Sequence, residues 1–156
     1  MGEYEARLTE LGIELPDVVP PVAAYVPALV NGSLVYTAGQ LPMVSGALPL
    51  TGKVGDGHGL VPADDAQDLA RTATLNALAA VKSVIGSLDR VTRVVKVTGF
   101  VASDPSFTGQ PAVVNGASLL LGEVFGDAGR HARSAVGVAV LPLDAPVEIE
   151  LVVAFE

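Results

Sequence analysis

The spacing of apolar and polar residues divides the chain into predicted strands and helices. Two β-prone runs, residues 25–30 and 33–37, flank Asn31-Gly32, a dipeptide favoured at the two central positions of a tight hairpin turn. Three further runs are rich in β-branched residues and predict strands over residues 91–102, 134–141 and 147–155. The chain therefore holds a predicted N-terminal hairpin and three later strands.

Two segments between these strands have apolar residues at helical spacing. The first begins at Asp64 or Asp65, either of which can cap a helix, and ends at Gly86. The second has Pro111 near its first turn and ends at Gly126. The order β-β-α-β-α-β-β predicts an α+β fold in which one mixed sheet carries both helices on one face. Because the other face would be exposed in a single chain, we expect a second copy to cover it.

The first 21 residues differ from the rest of the chain. Residues 4–11 have helical spacing that Gly12 ends, and Pro16, Pro20 and Pro21 predict an extended tether. We therefore predict an N-terminal helix and Pro-rich extension over residues 1–21 and a domain over residues 22–156. Within that domain, residues 39–62 are rich in Gly and Pro and predict a long loop with short strand pieces.

Composition narrows the classes of function. Half of the residues are apolar and none is cysteine, which suits one domain without disulfides and excludes thiol catalysis. The net charge of −8 and the aromatic content of 4% disfavour a broad nucleic-acid surface and favour small metabolites as partners. A mean hydropathy of +0.51 indicates apolar surface that is buried against another copy of the chain.

Charge along the chain also bears on location. The first residues carry Glu3, Glu5, Arg7 and Glu10 where a secretory signal needs an apolar run. Every longer apolar stretch is interrupted by Pro, Gly, Asn or a charged residue. We therefore expect no membrane span and a cytoplasmic protein.

The candidate chemistry centres on Arg133, which stands at the start of an apolar strand. A permanently charged, forked guanidinium in that place suggests a site that recognises an anion. The alternative is that Arg133 forms an ion pair with a neighbouring acid, while Glu148 and Glu150 share the outward face of an edge strand. Antiparallel strands would place Arg133 near the end of residues 147–155 rather than near Glu148, so pairing within one chain stays uncertain.

Other reactive sites find no support in the sequence. The two histidines, His58 and His131, are too far apart to form a zinc signature. The glycines at residues 46–54 lack the spacing of a phosphate-binding loop, and no Gly-x-Ser-x-Gly elbow is present. We therefore predict neither a metal nor a cofactor.

Three segments resemble the RidA/YjgF family: TAGQLP at residues 37–42, ALAAVKSVIGSLDRVTRVVKVTGFVA at residues 77–102, and ARSAVGVAVLPLDAPVEIELVV at residues 132–153. The similarity runs from about residue 25 to residue 155. Chain length and the N-terminal extension are similar to the longer subgroup labelled YjgF/chorismate-mutase-like or endoribonuclease. The resemblance implies a chorismate-mutase-like fold and a homotrimer whose three sheets form a central barrel, with a site in each cleft between subunits.

The resemblance also implies an activity and the residues that perform it. Better-known members hydrolyse reactive enamine or imine intermediates, such as 2-aminoacrylate, to a 2-oxo acid and ammonia. Arg133 matches the arginine that binds the substrate carboxylate, and Glu148 matches the glutamate that positions the attacking water. Tyr25 matches a tyrosine that borders the pocket, Asn115 an asparagine near the site, and the backbone of Ala135 would add hydrogen bonds to the carboxylate.

Two departures from the family pattern keep other functions open. Ala38 stands where serine is usual and Ala135 where cysteine is common, so two polar contacts to substrate are absent. Each loss costs on the order of 1 kcal/mol, which changes substrate preference without abolishing anion binding. One alternative is a non-catalytic protein that binds 2-oxo acids through the same Arg133. A third is the endoribonuclease of the subgroup label, which the acidic charge disfavours.

Overall fold

The computed structural model describes residues 2–21 and 23–156. Its main helices and strands are, in chain order, α1 (Glu3–Glu10), β1 (Ala28–Asn31), β2 (Leu34–Thr37), α2 (Ala63–Ile85), β3 (Val91–Ala102), α3 (Gln110–Phe125), β4 (Ala132–Val138) and β5 (Val147–Phe155). The strands form one five-stranded sheet in the order β1-β2-β5-β3-β4. Only β3 and β4 pair in parallel. The predicted α+β fold, with one mixed sheet and both α2 and α3 on one face, is confirmed.

The core lies between the sheet and these two helices. Along β5, Val147, Ile149, Leu151 and Val153 alternate toward the helices and are at most 1% exposed. Glu148 and Glu150 alternate with them and are half-buried on the opposite face. Because β5 lies between β2 and β3, the expectation that these acids sit on an edge strand is wrong. The interpretation failed because strand neighbours are set by long-range pairing that residue spacing does not report.

The N-terminal hairpin forms, but its turn is shifted by one residue from the prediction. Asn31 is the last residue of β1 and pairs with Leu34, which leaves Gly32 and Ser33 as the loop. Gly32 has a φ of +62°, and a two-residue loop with glycine in its first position needs only that one left-handed residue. Pro27 precedes β1, which therefore starts later than residue 25.

Two other element boundaries differ from the predictions. Pro62 is the N-cap residue of α2, and neither Asp64 nor Asp65 caps it; both lie in the first turn, where carboxylates favour the positive end of the helix dipole. β4 begins at Ala132 and ends at Val138, earlier at both ends than residues 134–141. Its C-terminal end is early because its partner β3 ends at Ala102 opposite Val138.

The first helix is fixed to the body of the protein by Asp89. The side chain of Asp89 accepts hydrogen bonds from the backbone N–H groups of Gly2 (2.8 Å), Tyr4 (2.8 Å) and Glu5 (3.0 Å). Leu8 of α1 is 4% exposed and joins the main core.

The predicted division between residues 21 and 22 stays a prediction, and residue 22 itself lies outside the described residues. Among the helices of the described chain, none combines the length and apolar character needed to cross a bilayer.

We expect Asp89→Ala to lower the free energy of unfolding by about 1–2 kcal/mol at neutral pH, since it removes the cap of α1. Burial alone would raise the pKa of Asp89, but the N–H donors outweigh burial and hold that pKa below its ordinary range. A carboxylate with a lowered folded pKa stabilises the protein above its unfolded pKa and loses that contribution as pH falls through the folded pKa.

The difference between wild type and Asp89→Ala should therefore shrink as pH falls toward about 3 in urea denaturation series. Asp56→Ala, at an exposed loop position, is the matched control and should change stability little. A difference that stays constant down to that pH would contradict the capping role.

Candidate functional site

Arg133 extends from β4 on the side of the sheet that faces α3. Its Nη1 donates to Oδ1 of Asn115 (2.8 Å) and to Oγ of Ser118 (3.2 Å), and its Nη2 donates to the carbonyl oxygen of Pro111 (3.2 Å). Residues spaced by three and four positions share one face of a helix, so Pro111, Asn115 and Ser118 together line the surface next to β4. The structure thus brings the predicted site residues Arg133 and Asn115 into direct contact.

These contacts leave two N–H donors of the Arg133 guanidinium available to a ligand. Of its five N–H donors, three bond to residues in the described part of the chain, and all three acceptors are neutral. The remaining donors are Nε–H and one N–H of Nη2, and two N–H groups of a guanidinium can bind the two oxygens of a carboxylate. Within residues 2–21 and 23–156, no carboxylate forms an ion pair with Arg133. The alternative of a local ion pair is therefore wrong for this part of the chain.

Ala135 lies two residues beyond Arg133 and pairs with Gly99 of β3. Its side chain is partly buried and packs against the core. The methyl group offers no polar contact, so any further contact from this residue to a ligand at Arg133 would come from its backbone.

Glu148 occupies a half-buried position on the other face of the sheet, opposite Phe100 of β3. Its carboxylate lies against Gly39, where a Cβ atom would overlap Oε1 of Glu148. Burial, and secondarily the negative charge of Glu150, raise the pKa of Glu148 above its ordinary value. A carboxylate with a raised pKa is a stronger proton acceptor than an ordinary one.

Tyr25 lies in a surface cavity beside the N-terminal hairpin. It is 44% exposed and lines a shallow cavity of about 480 Å³ formed with Val26, Leu29, Tyr36, Thr37 and Ala38. Ala38 is followed directly by Gly39, the residue against which Glu148 lies. Tyr25 and Ala38 therefore line one cavity, and the residue after Ala38 contacts Glu148.

The predicted site residues consequently form two groups rather than one. Arg133 pairs in register with Val97, which is fully buried under the helices, whereas Glu148 pairs with Phe100 on the opposite face. β3 also separates β4 from β5. Within one chain, the Arg133 group with Asn115 and Ala135 and the Glu148 group with Tyr25 therefore do not meet.

Sequence reasoning missed two residues beside Arg133. Oγ of Ser118 lies 2.8 Å from Nε2 of His131, and Nδ1 of His131 lies 2.6 Å from the carbonyl oxygen of Gly129. Their spacing was a usable signal, since Ser118 follows Asn115 by one helical turn and His131 precedes Arg133 by two strand positions.

Metal-binding geometry is absent from the described residues. No group of three or more His, Asp or Glu side chains in that part of the chain is placed to hold an ion. His58 is exposed in a turn of the long loop.

Comparison with known proteins gives the same fold and a family. A sequence model of the family described as "YjgF/chorismate_mutase-like, putative endoribonuclease" matches residues 5–155. Protein TCP17 of Trypanosoma cruzi is 42% identical over 153 residues, which cover 97% of this chain and 94% of that protein. The crystal structure of a protein of unknown function from Agrobacterium tumefaciens is 47% identical, with a TM-score of 0.89 over 98% of this chain and 92% of that one.

A more distant similarity includes a bound ligand. Escherichia coli TdcF, solved with bound serine, is 26% identical, with a TM-score of 0.60 over 90% of this chain and 93% of that one. Because the family model spans nearly all of the sequence, the chain belongs to the YjgF/chorismate-mutase-like family.

Proposed function

We propose that this protein hydrolyses the enamine and imine forms of small amino acids to 2-oxo acids and ammonia, in clefts between the subunits of a homotrimer. One observation carries the proposal: the Arg133 guanidinium is oriented by three neutral acceptors and keeps two N–H donors without a carboxylate partner among the described residues. A fixed fork of this kind binds a carboxylate in two parallel hydrogen bonds.

Carboxylate recognition also has support from a relative. TdcF was solved with serine, and a free amino acid carries the carboxylate that an unpaired arginine would bind. Imines and enamines derived from amino acids keep that carboxylate next to the reacting carbon, C2. Arg133 would therefore hold C2 at a fixed distance from its own guanidinium.

An enamine such as 2-aminoacrylate first becomes the imine, as C3 gains a proton from water and nitrogen releases one to water. Glu148 would then supply the proton transfers at C2 of the imine. Its carboxylate accepts a proton from water as the water oxygen attacks C2, while the C=N electron pair moves to nitrogen, which then takes that proton. The resulting carbinolamine has one hydroxyl and one amino group on C2. Transfer of the hydroxyl proton to nitrogen and cleavage of the C–N bond release ammonia and form the 2-oxo acid.

A second subunit is needed to complete this site. Arg133 and Glu148 lie on opposite faces of one sheet, so an Arg133 from one chain must meet a Glu148 from another. The uncovered face supports such packing, because Leu29 and Tyr36 of adjacent strands lie side by side on it at 48% and 40% exposure. Exposed apolar rows of this kind mark surfaces where another chain packs. A homotrimer with the three sheets inside would bury them.

The assay is ammonia release from freshly generated 2-aminoacrylate, with calorimetric binding of a stable 2-oxo acid measured alongside. Release well above the buffer rate, with Arg130→Ala matching wild type, is the expected result; Arg130 is an exposed arginine three residues from the anchor. Binding without any release would favour a 2-oxo acid sensor. Cleavage of RNA by rigorously purified protein that persists in Arg133→Ala would favour an endoribonuclease.

The pH profile gives a separate prediction for Glu150→Gln. Because ionised Glu148 accepts the proton, kcat/KM should fall as pH drops through the pKa of Glu148. Burial is the main cause that raises this pKa, and the charge of Glu150 adds to it. Glu150→Gln should therefore move the acid limb of the profile to lower pH and leave the plateau unchanged. Glu156→Gln, at an exposed position, is the control and should leave the profile unchanged. If Glu150→Gln does not move the acid limb, the assignment of Glu148 as the proton acceptor is contradicted.

A further inference from the structure

We propose that Ser118 and His131 are positioning residues, which form a one-directional hydrogen-bond relay that fixes the Arg133 guanidinium for carboxylate binding. This inference rests on the proposed function, and it deepens that proposal by naming what holds the anchor in place. Neither residue needs to touch the substrate. Their effect passes through Nη1 of Arg133.

The direction of the relay follows from its far end. Nδ1 of His131 lies 2.6 Å from the carbonyl oxygen of Gly129, and a carbonyl oxygen can only accept. Nδ1 must therefore carry the hydrogen, and in the neutral ring Nε2 is then an acceptor. This tautomer is fixed by the backbone rather than by any ligand.

Ser118 then has a single consistent role. Nε2 of His131 lies 2.8 Å from Oγ of Ser118, and in the neutral ring it accepts the hydroxyl hydrogen. With its hydrogen directed at His131, Oγ turns a lone pair toward Nη1 of Arg133 at 3.2 Å. Without His131, the hydroxyl would be free to rotate, and it would no longer present a fixed acceptor to the guanidinium.

The backbone gives the relay a rigid base. Gly129 is buried, and a Cβ at that position would overlap the carbonyl oxygen of Leu121 in α3. The carbonyl that orients His131 is thus packed closely against the helix that carries Asn115 and Ser118. Asn115 bonds to the same Nη1, so both hydrogens of that nitrogen are held and the guanidinium cannot turn without breaking a contact.

The test is a double-mutant cycle read by the affinity for a stable 2-oxo acid, 2-oxobutanoate, in calorimetry. Ser118→Ala and His131→Phe should each weaken binding about three- to tenfold, the range of one ordinary hydrogen bond, because each removes a support of the guanidinium and not a contact to the carboxylate. Because the relay is serial, the double variant should bind no more weakly than Ser118→Ala alone. Ser118→Thr and His131→Gln keep the hydroxyl and an acceptor, and they should recover most of the affinity.

Matched controls separate positioning from stability. Ser83→Ala makes the same change on α2, and His58→Phe changes the other histidine; both should bind like wild type. Additive losses in the cycle, or wild-type affinity in both single variants while Arg133→Ala fails to bind, would overturn the relay and leave the proposed function standing.

A measurement without ligand keeps the relay testable if no 2-oxo acid binds to wild type, an outcome that would count against the proposed function alone. Ring nitrogen shifts in NMR spectra should identify the Nδ1–H tautomer of His131. Rotation of the Arg133 guanidinium about its Nε–Cζ bond should be slow in wild type and faster in Ser118→Ala and His131→Phe. Equal rotation rates in all three proteins would overturn the relay directly.

Discussion

Arg133→Ala will weaken the binding of 2-oxo acids by about 100-fold or more, because it removes both donors of the carboxylate fork. Hydrogen bonds that involve a charged group contribute roughly 1.5–3 kcal/mol each, and about 1.4 kcal/mol corresponds to a tenfold change in affinity. Calorimetry with 2-oxobutanoate measures the loss, and ammonia release should fall in parallel. Arg133→Lys should bind 2-oxo acids more weakly than wild type and more tightly than Arg133→Ala, since an ammonium keeps the charge but not the planar fork.

The fold should survive this substitution. Arg133 has no ion pair among the residues that the structure describes, and its three acceptors lie at a part-buried to exposed surface where water can replace it. Thermal unfolding of Arg133→Ala should therefore stay close to that of wild type. An affinity within twofold of wild type would show that the anion binds elsewhere.

Glu148→Gln will lower the rate of ammonia release by about 100-fold or more, the usual contribution of a positioned general base, while the affinity for 2-oxobutanoate changes little. The amide has nearly the shape of the carboxylate but cannot accept a proton from water. Single-turnover release of ammonia together with calorimetry separates the two effects. A normal rate would remove Glu148 from the chemistry.

Stability should change in the opposite direction from activity in this variant. Burial, followed by the charge of Glu150, raises the pKa of Glu148, so the folded state disfavours the ionised form. This cost is absent at low pH and appears as pH rises through the unfolded pKa toward the folded one. Glu148→Gln removes the charge, and at neutral pH it should unfold at the same or a higher temperature than wild type. A rate loss with a raised melting temperature cannot come from misfolding.

The local sequence pattern predicts an element correctly wherever the bounds of that element depend on its own residues. The sequence predicts strands over residues 91–102 and 147–155, and these are β3 and β5. The prediction is correct because the length of each strand follows from the length of its run of β-branched residues. The C-terminal end of β4 was misplaced because it depends on where its partner β3 ends. The central position of β5 was missed for the same reason, since pairing between distant strands leaves no local trace.

The same contrast between local sequence pattern and long-range packing applies to the candidate site. Residue type alone marked Arg133 as an anion-binding candidate, and the family resemblance added Glu148, Tyr25, Asn115 and Ala135. That no described carboxylate pairs with Arg133 could not be predicted, because it depends on side chains that tertiary packing keeps away. The two faces on which Arg133 and Glu148 lie were equally hidden until the register of β3 with both neighbours was known.

The most direct measurement mixes two inactive chains. Co-expressed Arg133→Ala and Glu148→Gln chains, carrying different tags and purified as mixed trimers, should recover about a third of wild-type ammonia release, because one of the three interfaces in each mixed trimer joins an intact Arg133 to an intact Glu148. Mixing Arg133→Ala chains with the double variant Arg133→Ala/Glu148→Gln should recover none. Recovery in the first mixture is the expected result, and activity no higher than that of the two parent variants would contradict a site shared between subunits.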